Sequence, residues 1–377
     1  MNSLLKNLES LIVSHVEKHY LPMRDFKRLS LGAARLSEAF TQGRSELPKN
    51  YFNLKEARSG YLLYFLLPNV AKVWHCLKQA EDWMPKRQPL KILDVGCGPA
   101  TAALACSSFF KTTPLEITGL EQNPGILEDA KKLFDSWKQP HHVFRAKLGD
   151  ARSVPSEKFD LIWLVNTLNE WKSIGEQRRI TENLLGHLNP DGLLFIIDPA
   201  LQKTTRQLMA LRDQLLSGGA CRVLAPCLHQ SNCPMLAANA RDWCHFYLDW
   251  DCPKIIRAID KVTGNKHDYL KMAYLVIARG ARSLTPFGTG SAISRRHGIA
   301  SLPLAMTPWR VVSSPLITKG KCELILCGEP GILKKIRRLD KDAGKIQDDF
   351  YQAVRGDVIQ GAEKETVHLI KKFSPTP

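Results

Sequence analysis

The sequence predicts an α/β protein. A Rossmann-like parallel sheet forms its core, with a helical region before it, a Cys-rich insertion late in it and a small β element after it. Three observations predict this. A short apolar run, Ile92 to Val95, leads into a glycine turn, Gly96-Cys-Gly-Pro-Ala100. A second apolar strand, Ile117-Thr-Gly-Leu-Glu121, ends in an acid 27 positions after Asp94. Further apolar strands alternate with helical stretches, the rhythm of a doubly wound sheet. With 377 residues and 44% hydrophobic content the chain can bury a sizeable core, and two or three domains are expected.

Residues 1–88 read as helical. Ser30 to Phe40 places its apolar residues on one face, and Gly43 to Asn53 reads as a polar loop. Gly60 to Trp74 is strongly apolar and should break or kink at Pro68. The aromatic residues here are expected to pack in a core rather than stack on bases. The core proper should span 89–280. Its first strand carries Asp94 near its end, and Gly96 and Gly98 let the backbone turn and approach a ligand closely. Thr101 to Phe110 then forms a helix whose N-terminus faces the same ligand. Glu121 falls at the carboxyl edge of the neighbouring strand, where it can accept hydrogen bonds from a ribose diol. A third strand near His142 to Ala146 precedes Gly149-Asp150-Ala151. Phe159 to Val165 is the fourth strand, followed by Asn166-Thr-Leu-Asn-Glu170. Gly192 to Asp198 is the fifth, entered from an Asn-Pro-Asp-Gly turn. Leu201 to Leu216 reads as a helix, and Arg222 to Ala225 and Lys271 to Ala278 read as the last two strands.

The glycine turn, Glu121 and Asp150, in this order, resemble the motifs of class I S-adenosylmethionine-dependent methyltransferases. The resemblance implies a cofactor held by Asp94, Gly96, Gly98 and Ala100 along the turn. Glu121 would meet the ribose, Asp150 and Ala151 the adenine, and Asn166 would line the site after the fourth strand. Ala100 stands where many members carry a third glycine. The plain alternative is that these acids are ordinary surface loop residues.

Net charge is +16, the footprint of a nucleic-acid binder as well as of a generally basic protein. The excess lies at the two ends: 14 Lys/Arg against 8 Asp/Glu in residues 1–90, and 16 against 9 in residues 281–377. Positive charge around a methyltransferase-like core suits a large polyanion better than a small substrate. No apolar run is long enough to span a membrane. Met1 to Tyr20 is amphipathic, with Glu9 and Glu17 and no long apolar segment. It reads as a structural helix with no clear transit peptide, and a bacterial-type cytoplasmic location is expected.

Ten cysteines in such a chain are expected to be buried, metal-bound or reactive rather than paired. The insertion, 221–252, contains Ala225-Pro-Cys-Leu-His-Gln-Ser-Asn-Cys-Pro-Met235 and Asp242-Trp-Cys-His-Phe246. Five and ten residues separate Cys227, Cys233 and Cys244. A four-thiolate site needs one more ligand, and spacing leaves Cys221, Cys252, Cys322 and Cys327 open as candidates. The absence of a Cys-x-x-Cys pair disfavours a zinc ribbon, whereas an iron–sulfur cluster tolerates irregular spacing. The region 281–377 opens with a Ser/Thr/Gly/Pro-rich linker to Ser301 and continues as two or three strands over Trp309 to Gly331. Lys334-Lys-Ile-Arg-Arg338 beyond them could line an RNA groove or form a solvated face.

Together these elements resemble the methyltransferase-like assembly factors of the small ribosomal subunit. Leu-Asp-Val-Gly-Cys-Gly-Pro, Ala-Pro-Cys-x-His-x-x-x-Cys-Pro, Trp-Cys-His-Phe and Arg355-Gly-Asp357 carry the likeness, which covers most of the chain. The resemblance implies a [4Fe-4S] cluster, with zinc as the alternative metal, on Cys227, Cys233, Cys244 and Cys327. It also implies binding to the small ribosomal subunit and its rRNA, as a monomer before docking, in support of assembly or translation. The alternative is a catalytic rRNA methyltransferase, for which no catalytic residue can be named. The Asn-Pro-Pro-Tyr signature of many amino-group methyltransferases is replaced after the fourth strand by Asn166-Thr-Leu-Asn169.

Overall fold

In a computed structural model of the chain, the described residues are 1–41, 51–280, 307–342, 349–361 and 366–373. The expected linker to Ser301 and most of the expected 43–53 loop lie outside them. The elements in chain order are α1 (Asn2–His19), α2 (Phe26–Thr41), α3 (Lys55–Tyr64), α4 (Leu66–Gln79), β1 (Leu90–Val95), α5 (Thr101–Phe109), β2 (Leu115–Glu121) and α6 (Pro124–Trp137). They continue with β3 (His142–Leu148), β4 (Phe159–Val165), α7 (Ile174–Gly186), β5 (Leu188–Asp198), α8 (Gln202–Ser217), β6 (Cys221–Ala225), α9 (Pro234–Ala238) and β7 (Phe246–Asp249). The last are α10 (Lys254–Thr263), β8 (Tyr269–Arg279), β9 (Trp309–Val311), β10 (Leu316–Thr318), β11 (Lys321–Gly328), β12 (Ile332–Leu339), β13 (Val358–Gln360) and β14 (His368–Lys371). No helix among the described residues is long and apolar enough to cross a membrane.

Two compact units result. The first comprises Met1–Trp171, Gly186–Ile197 and Asp249–Leu270. Its strands run parallel in the order β3-β2-β1-β4-β5. β4 is buried along its whole length, which is why Phe-Asp-Leu-Ile-Trp-Leu-Val reads as a nearly continuous apolar run rather than an alternating one. Trp163 of β4 stacks on Phe195 of β5 with centroids 4.0 Å apart. Strand order reverses between β1 and β4, the Rossmann-like arrangement of class I S-adenosylmethionine methyltransferases.

The N-terminal helices belong to this unit. α1 buries Leu4, Leu5, Leu8, Ile12 and Val16. Its acid Glu9 accepts the Ile255 backbone N–H that opens α10 (2.6 Å). Asp129 of α6 is buried and accepts from His15 Nε2 (2.8 Å) and the Tyr20 hydroxyl (2.5 Å), with Arg58 of α3 at 3.9 Å. The break expected at Pro68 falls before it, at Phe65. Pro68 itself sits in the first turn of α4, where its missing N–H has no helical acceptor to lose.

The second unit comprises Lys172–Leu185, Asp198–Leu248 and Lys271–Pro377. β8 pairs with β6 antiparallel and also with β7. The C-terminal region forms a sheet of its own. β11 pairs with β9, β10 and β12, β9 pairs with β13, and β13 with β14. Trp309, Val311, Leu324, Leu326, Phe350, Ile359 and Val367 form its core. Three strands, β9 to β11, fill Trp309 to Gly331, where two or three were expected; three more follow that the sequence did not show, because β12 hides within a basic run and β13 and β14 are only three and four residues long.

Candidate functional site

The glycine turn lies where strand order reverses, the position at which open α/β sheets bind ligands. Gly96, Gly98 and Ala100 have φ of 69°, 51° and 67°. A Cβ on Gly96 would stand 2.6 Å from the Thr167 side chain, so glycine is required there by both conformation and space. The N–H groups of Gly96 and Cys97 bind the Leu120 carbonyl at 2.8 and 2.9 Å, locking the turn to β2. Ala100 caps α5 in the left-handed conformation, which costs a non-glycine residue roughly 1–2 kcal/mol. Asn166, after β4, is also left-handed (φ 56°), a conformation asparagine tolerates, and its N–H binds the Ile197 carbonyl at 2.7 Å.

The acids differ in role. Asp94 is 1% exposed, and among the described residues neither of its oxygens closes a hydrogen bond. Burial pushes its carboxyl up to about 7, opposed by the Ala102 N–H, reinforced by the Glu121 charge and opposed again by the Ala103 N–H. Glu121 accepts the Gly98 N–H on Oε2 (3.1 Å) and the Gln122 and Asn123 N–H groups on Oε1 (2.8 and 2.9 Å). Burial raises its carboxyl, and these three bonds oppose the rise. Asp150 accepts the Arg152 N–H (2.8 Å) and Nε (2.9 Å), and the Arg152 side chain holds its carboxyl below the usual range. An open recess of about 400 Å³ is lined by Gln122, Leu148, Gly149, Asp150, Arg152 and Ser153. Ala151 beside it is buried.

The structure therefore brings Asp94, the turn and Glu121 together and sets Asp150 on the recess. Sequence reasoning missed Thr167, Arg152 and Tyr61. Tyr61 of α3 places its hydroxyl 3.8 Å from where a Gly98 Cβ would stand. It also stacks on Phe65 (5.7 Å) and meets Phe52 edge-on, so in sequence it is indistinguishable from a core aromatic.

The cysteine centre lies in the second unit. Cys233, Cys244 and Cys327 pack in one cluster with Met209, Met235, Val312 and Trp243. Burial raises the Cys244 thiol far above its ordinary range, followed by Cys227, Cys233 and Cys327 as like-charged neighbours. Burial, then Cys227, pushes Cys233 up to about 11. The Cys233 N–H binds both oxygens of Asp213 (3.0 and 2.9 Å), and His229 Nε2 lies 3.4 Å from the Cys327 sulfur. Among the other candidates for the fourth position, Cys322 packs in the core of the C-terminal sheet and Cys252 belongs to the first unit. Cys221 is raised by burial and then by Glu182, not by another thiol. Among the described residues, no group of three or more His, Cys, Asp or Glu is set to hold a metal ion.

The basic run is strand β12, and pairing puts most of its charge to structural use. Arg337 Nε binds Glu323 at 2.8 Å, Lys334 lies over the Trp309 ring, and Arg338 is buried over Phe350. Lys335 is exposed, 4.0 Å from Glu323.

The family model for the mitochondrial small ribosomal subunit protein Rsm22 matches residues 55–359. The chain belongs to the Rsm22 family. This overturns the expected bacterial-type cytoplasmic location, because the family is one of the mitochondrial small ribosomal subunit. The acids read as arguing against a transit peptide say little about address, since Glu9 is a structural acceptor for α10.

No curated protein matches this Rsm22-family chain. Solved methyltransferases resemble parts of it. An amino pentose methyltransferase from Micromonospora echinaspora, solved with S-adenosylmethionine bound, is 23% identical over 34% of this chain and 50% of that one, at a TM-score of 0.27. The CcbJ methyltransferase from Streptomyces caelestis is 15% identical over 34% and 52%, at 0.28. A methyltransferase from Pyrococcus furiosus is 16% identical over 57% and 84%, at 0.35. The chain spans about half the length of the first two. Likeness at this level adds nothing to the fold assignment, which rests on strand order and pairing.

Proposed function

We propose that this Rsm22-family protein binds S-adenosylmethionine at the glycine turn and docks on the rRNA of the small ribosomal subunit, supporting its assembly or translation. The observation that carries the cofactor reading is Asp94: a buried carboxyl beside the turn, neither of whose oxygens closes a hydrogen bond among the described residues, with only the Ala102 and Ala103 N–H groups turned toward it. An isolated buried anion is costly, and a cationic ligand such as an amino acid ammonium relieves that cost. Glu121 supports the same reading. A carboxylate offers about four acceptor positions. Three backbone N–H groups occupy Glu121, two on Oε1 and one on Oε2, leaving Oε2 able to accept a ribose hydroxyl. The recess beside Asp150 suits a planar base, with Leu148 as an apolar wall and Asp150 as an acceptor for an exocyclic amine.

The ribosomal reading is supported by the family match and by the +16 charge. We also assign Cys227, Cys233, Cys244 and Cys327 to a [4Fe-4S] cluster. The donor set fits such a group: four soft thiols, buried or half-buried, accompanied by buried arginine N–H groups that have no acceptor. When bound, the cluster supplies a covalent cross-link between the insertion and β11.

Calorimetric titration with S-adenosylmethionine and its demethylated product tests the cofactor reading. Co-sedimentation with small ribosomal subunits on gradients of rising salt tests the docking. Saturable cofactor binding and salt-sensitive co-migration are expected. Absence of cofactor binding, or co-migration independent of salt, would contradict the respective part.

A further inference from the structure

Two buried arginines, Arg212 and Arg310, and the half-buried Arg355 surround the cysteine insertion; of these the sequence marked only Arg355, as part of the Arg-Gly-Asp motif. Each holds a backbone carbonyl close in the chain to a cysteine. Arg310 of β9 donates from Nε to the carbonyl of Pro226, the residue before Cys227 (3.0 Å), and from Nη1 to Gly356. Arg212 of α8 donates to the carbonyls of His229 (2.8 Å) and Ser231 (2.6 Å), both between Cys227 and Cys233, and to Asp213. Arg355 donates from Nη1 to the carbonyl of His245, the residue after Cys244 (3.2 Å). Arg212 and Arg310 are 1% and 2% exposed. Among the described residues, each of the three also keeps one buried N–H that closes no hydrogen bond: Arg212 Nε, Arg310 Nη2 and Arg355 Nε.

Surface lysines or scattered salt bridges would not give this pattern. A guanidinium is always charged and does not give up its proton on burial. Three of them in one place therefore require negative charge nearby. The carboxylates at hand are few. Asp213 takes Arg212 and the Cys233 N–H, Asp357 accepts the Val354 and Phe373 N–H groups while its charge also faces Arg310, and Asp242 favours charged Arg355 after Tyr247 and Cys244. Neutral thiols would add no charge to these partners, whereas metal-bound thiolates would.

We propose that Arg212, Arg310 and Arg355 are the positioning and counter-charge shell of an anionic four-thiolate centre. They clamp the insertion backbone on either side of its three cysteines and offer N–H donors to its sulfurs. The proposal rests on the reading of Cys227, Cys233, Cys244 and Cys327 as metal ligands. It adds that the C-terminal sheet contributes to the centre through Arg310 as well as Cys327. Positive charge and hydrogen bonds to sulfur favour the reduced state of an iron–sulfur cluster, so the shell should raise its potential.

The test uses the full chain purified without oxygen. Iron, sulfide and zinc are measured first, then the midpoint potential by optical titration and the rate of metal loss to a chelator. Arg310→Gln and Arg355→Gln should shift the midpoint to more negative values and speed metal loss by roughly tenfold to a hundredfold, as loss of an outer-shell partner does elsewhere. Arg310→Lys and Arg355→Lys keep the charge but not the fork. They should restore the midpoint more fully than the retention, and they decide the matter if the Gln variants do not fold. Variants loaded like wild type with unchanged midpoint and retention would overturn the proposal. Zinc without sulfide in wild type would defeat the iron–sulfur reading alone, and retention of zinc would then test the arginines. No metal in wild type would overturn both.

Discussion

Glu121 accepts the backbone N–H of Gly98 at 3.1 Å, so the acid that ends the second strand braces the turn that follows the first. The residue expected to meet a ribose thus has a structural duty as well. Glu121→Ala removes the acceptor for the Gly98, Gln122 and Asn123 N–H groups together. Hydrogen bonds to a charged group contribute about 1.5–3 kcal/mol each, though a shared acceptor is not additive. The substitution should therefore lower the ligand-free melting temperature by several degrees, and Glu121→Gln by less. Calorimetric unfolding without cofactor measures this, and an unchanged melting temperature in Glu121→Ala would remove the bracing role.

Asp94 predicts a pH dependence. Its folded value of about 7 lies above the ordinary 3.8, so the fold prefers the protonated acid. That contribution is complete below the ordinary value and is lost as pH rises through about 7. A shift of this size corresponds to a few kcal/mol, at about 1.4 kcal/mol per unit. Ligand-free protein should gain stability on going from pH 8 to pH 5, and Asp94→Asn should flatten that trend. A cationic cofactor prefers the ionised form, so affinity should rise with pH across the same interval. Denaturant titrations and calorimetry at several pH values check both signs.

Strand β12 separates a proposed RNA contact, Lys335, from a structural charge, Arg338. Lys335→Glu should weaken rRNA binding and reduce its salt dependence while leaving stability nearly unchanged, since the side chain is exposed. Arg338 is buried over Phe350. Arg338→Glu should destabilise the C-terminal sheet by about 3–5 kcal/mol, the scale of an uncompensated buried charge. Proteolysis of that sheet beside filter binding at two salt concentrations distinguishes the two. If Lys335→Glu leaves binding and its salt slope untouched, β12 is not part of the RNA surface.

The cysteines divide in the same way. Ser at Cys227, Cys233, Cys244 or Cys327 should lower iron and sulfide content. Cys221→Ser and Cys106→Ser should not. Cys322→Ser should cost stability through the sheet core in which it packs, with metal content preserved. Iron and sulfide assays on anaerobic preparations check this. Full cluster content in Cys327→Ser, with loss in Cys221→Ser, would reassign the fourth ligand.

What could be read from the sequence follows from its physics. The first strand, its glycine turn and the acid at the end of the second strand were legible because burial on both faces writes an apolar run and a tight turn writes glycine. β12 was not legible, because an edge strand needs an apolar residue only at alternate positions, and here Ile336 alone is both apolar and buried. Arg212 and Arg310 escaped, and Arg355 was read only as part of a motif, because an arginine inside the fold and a solvated one look the same until their partners, carbonyls elsewhere in the chain, are in place. The structural-helix reading of Met1 to Tyr20 was right, with Glu9 an acceptor for the start of α10, but a helix built into the fold says nothing about location, which only the family match corrected.

The most direct test of the central claim is titration of S-adenosylmethionine into the wild-type chain and into Glu121→Ala and Asp94→Asn at pH 8. Saturable one-to-one binding by wild type is predicted. Each variant should bind at least about tenfold more weakly, a difference of about 1.4 kcal/mol. No heat of binding from wild type, or equal affinity in all three proteins, would contradict it.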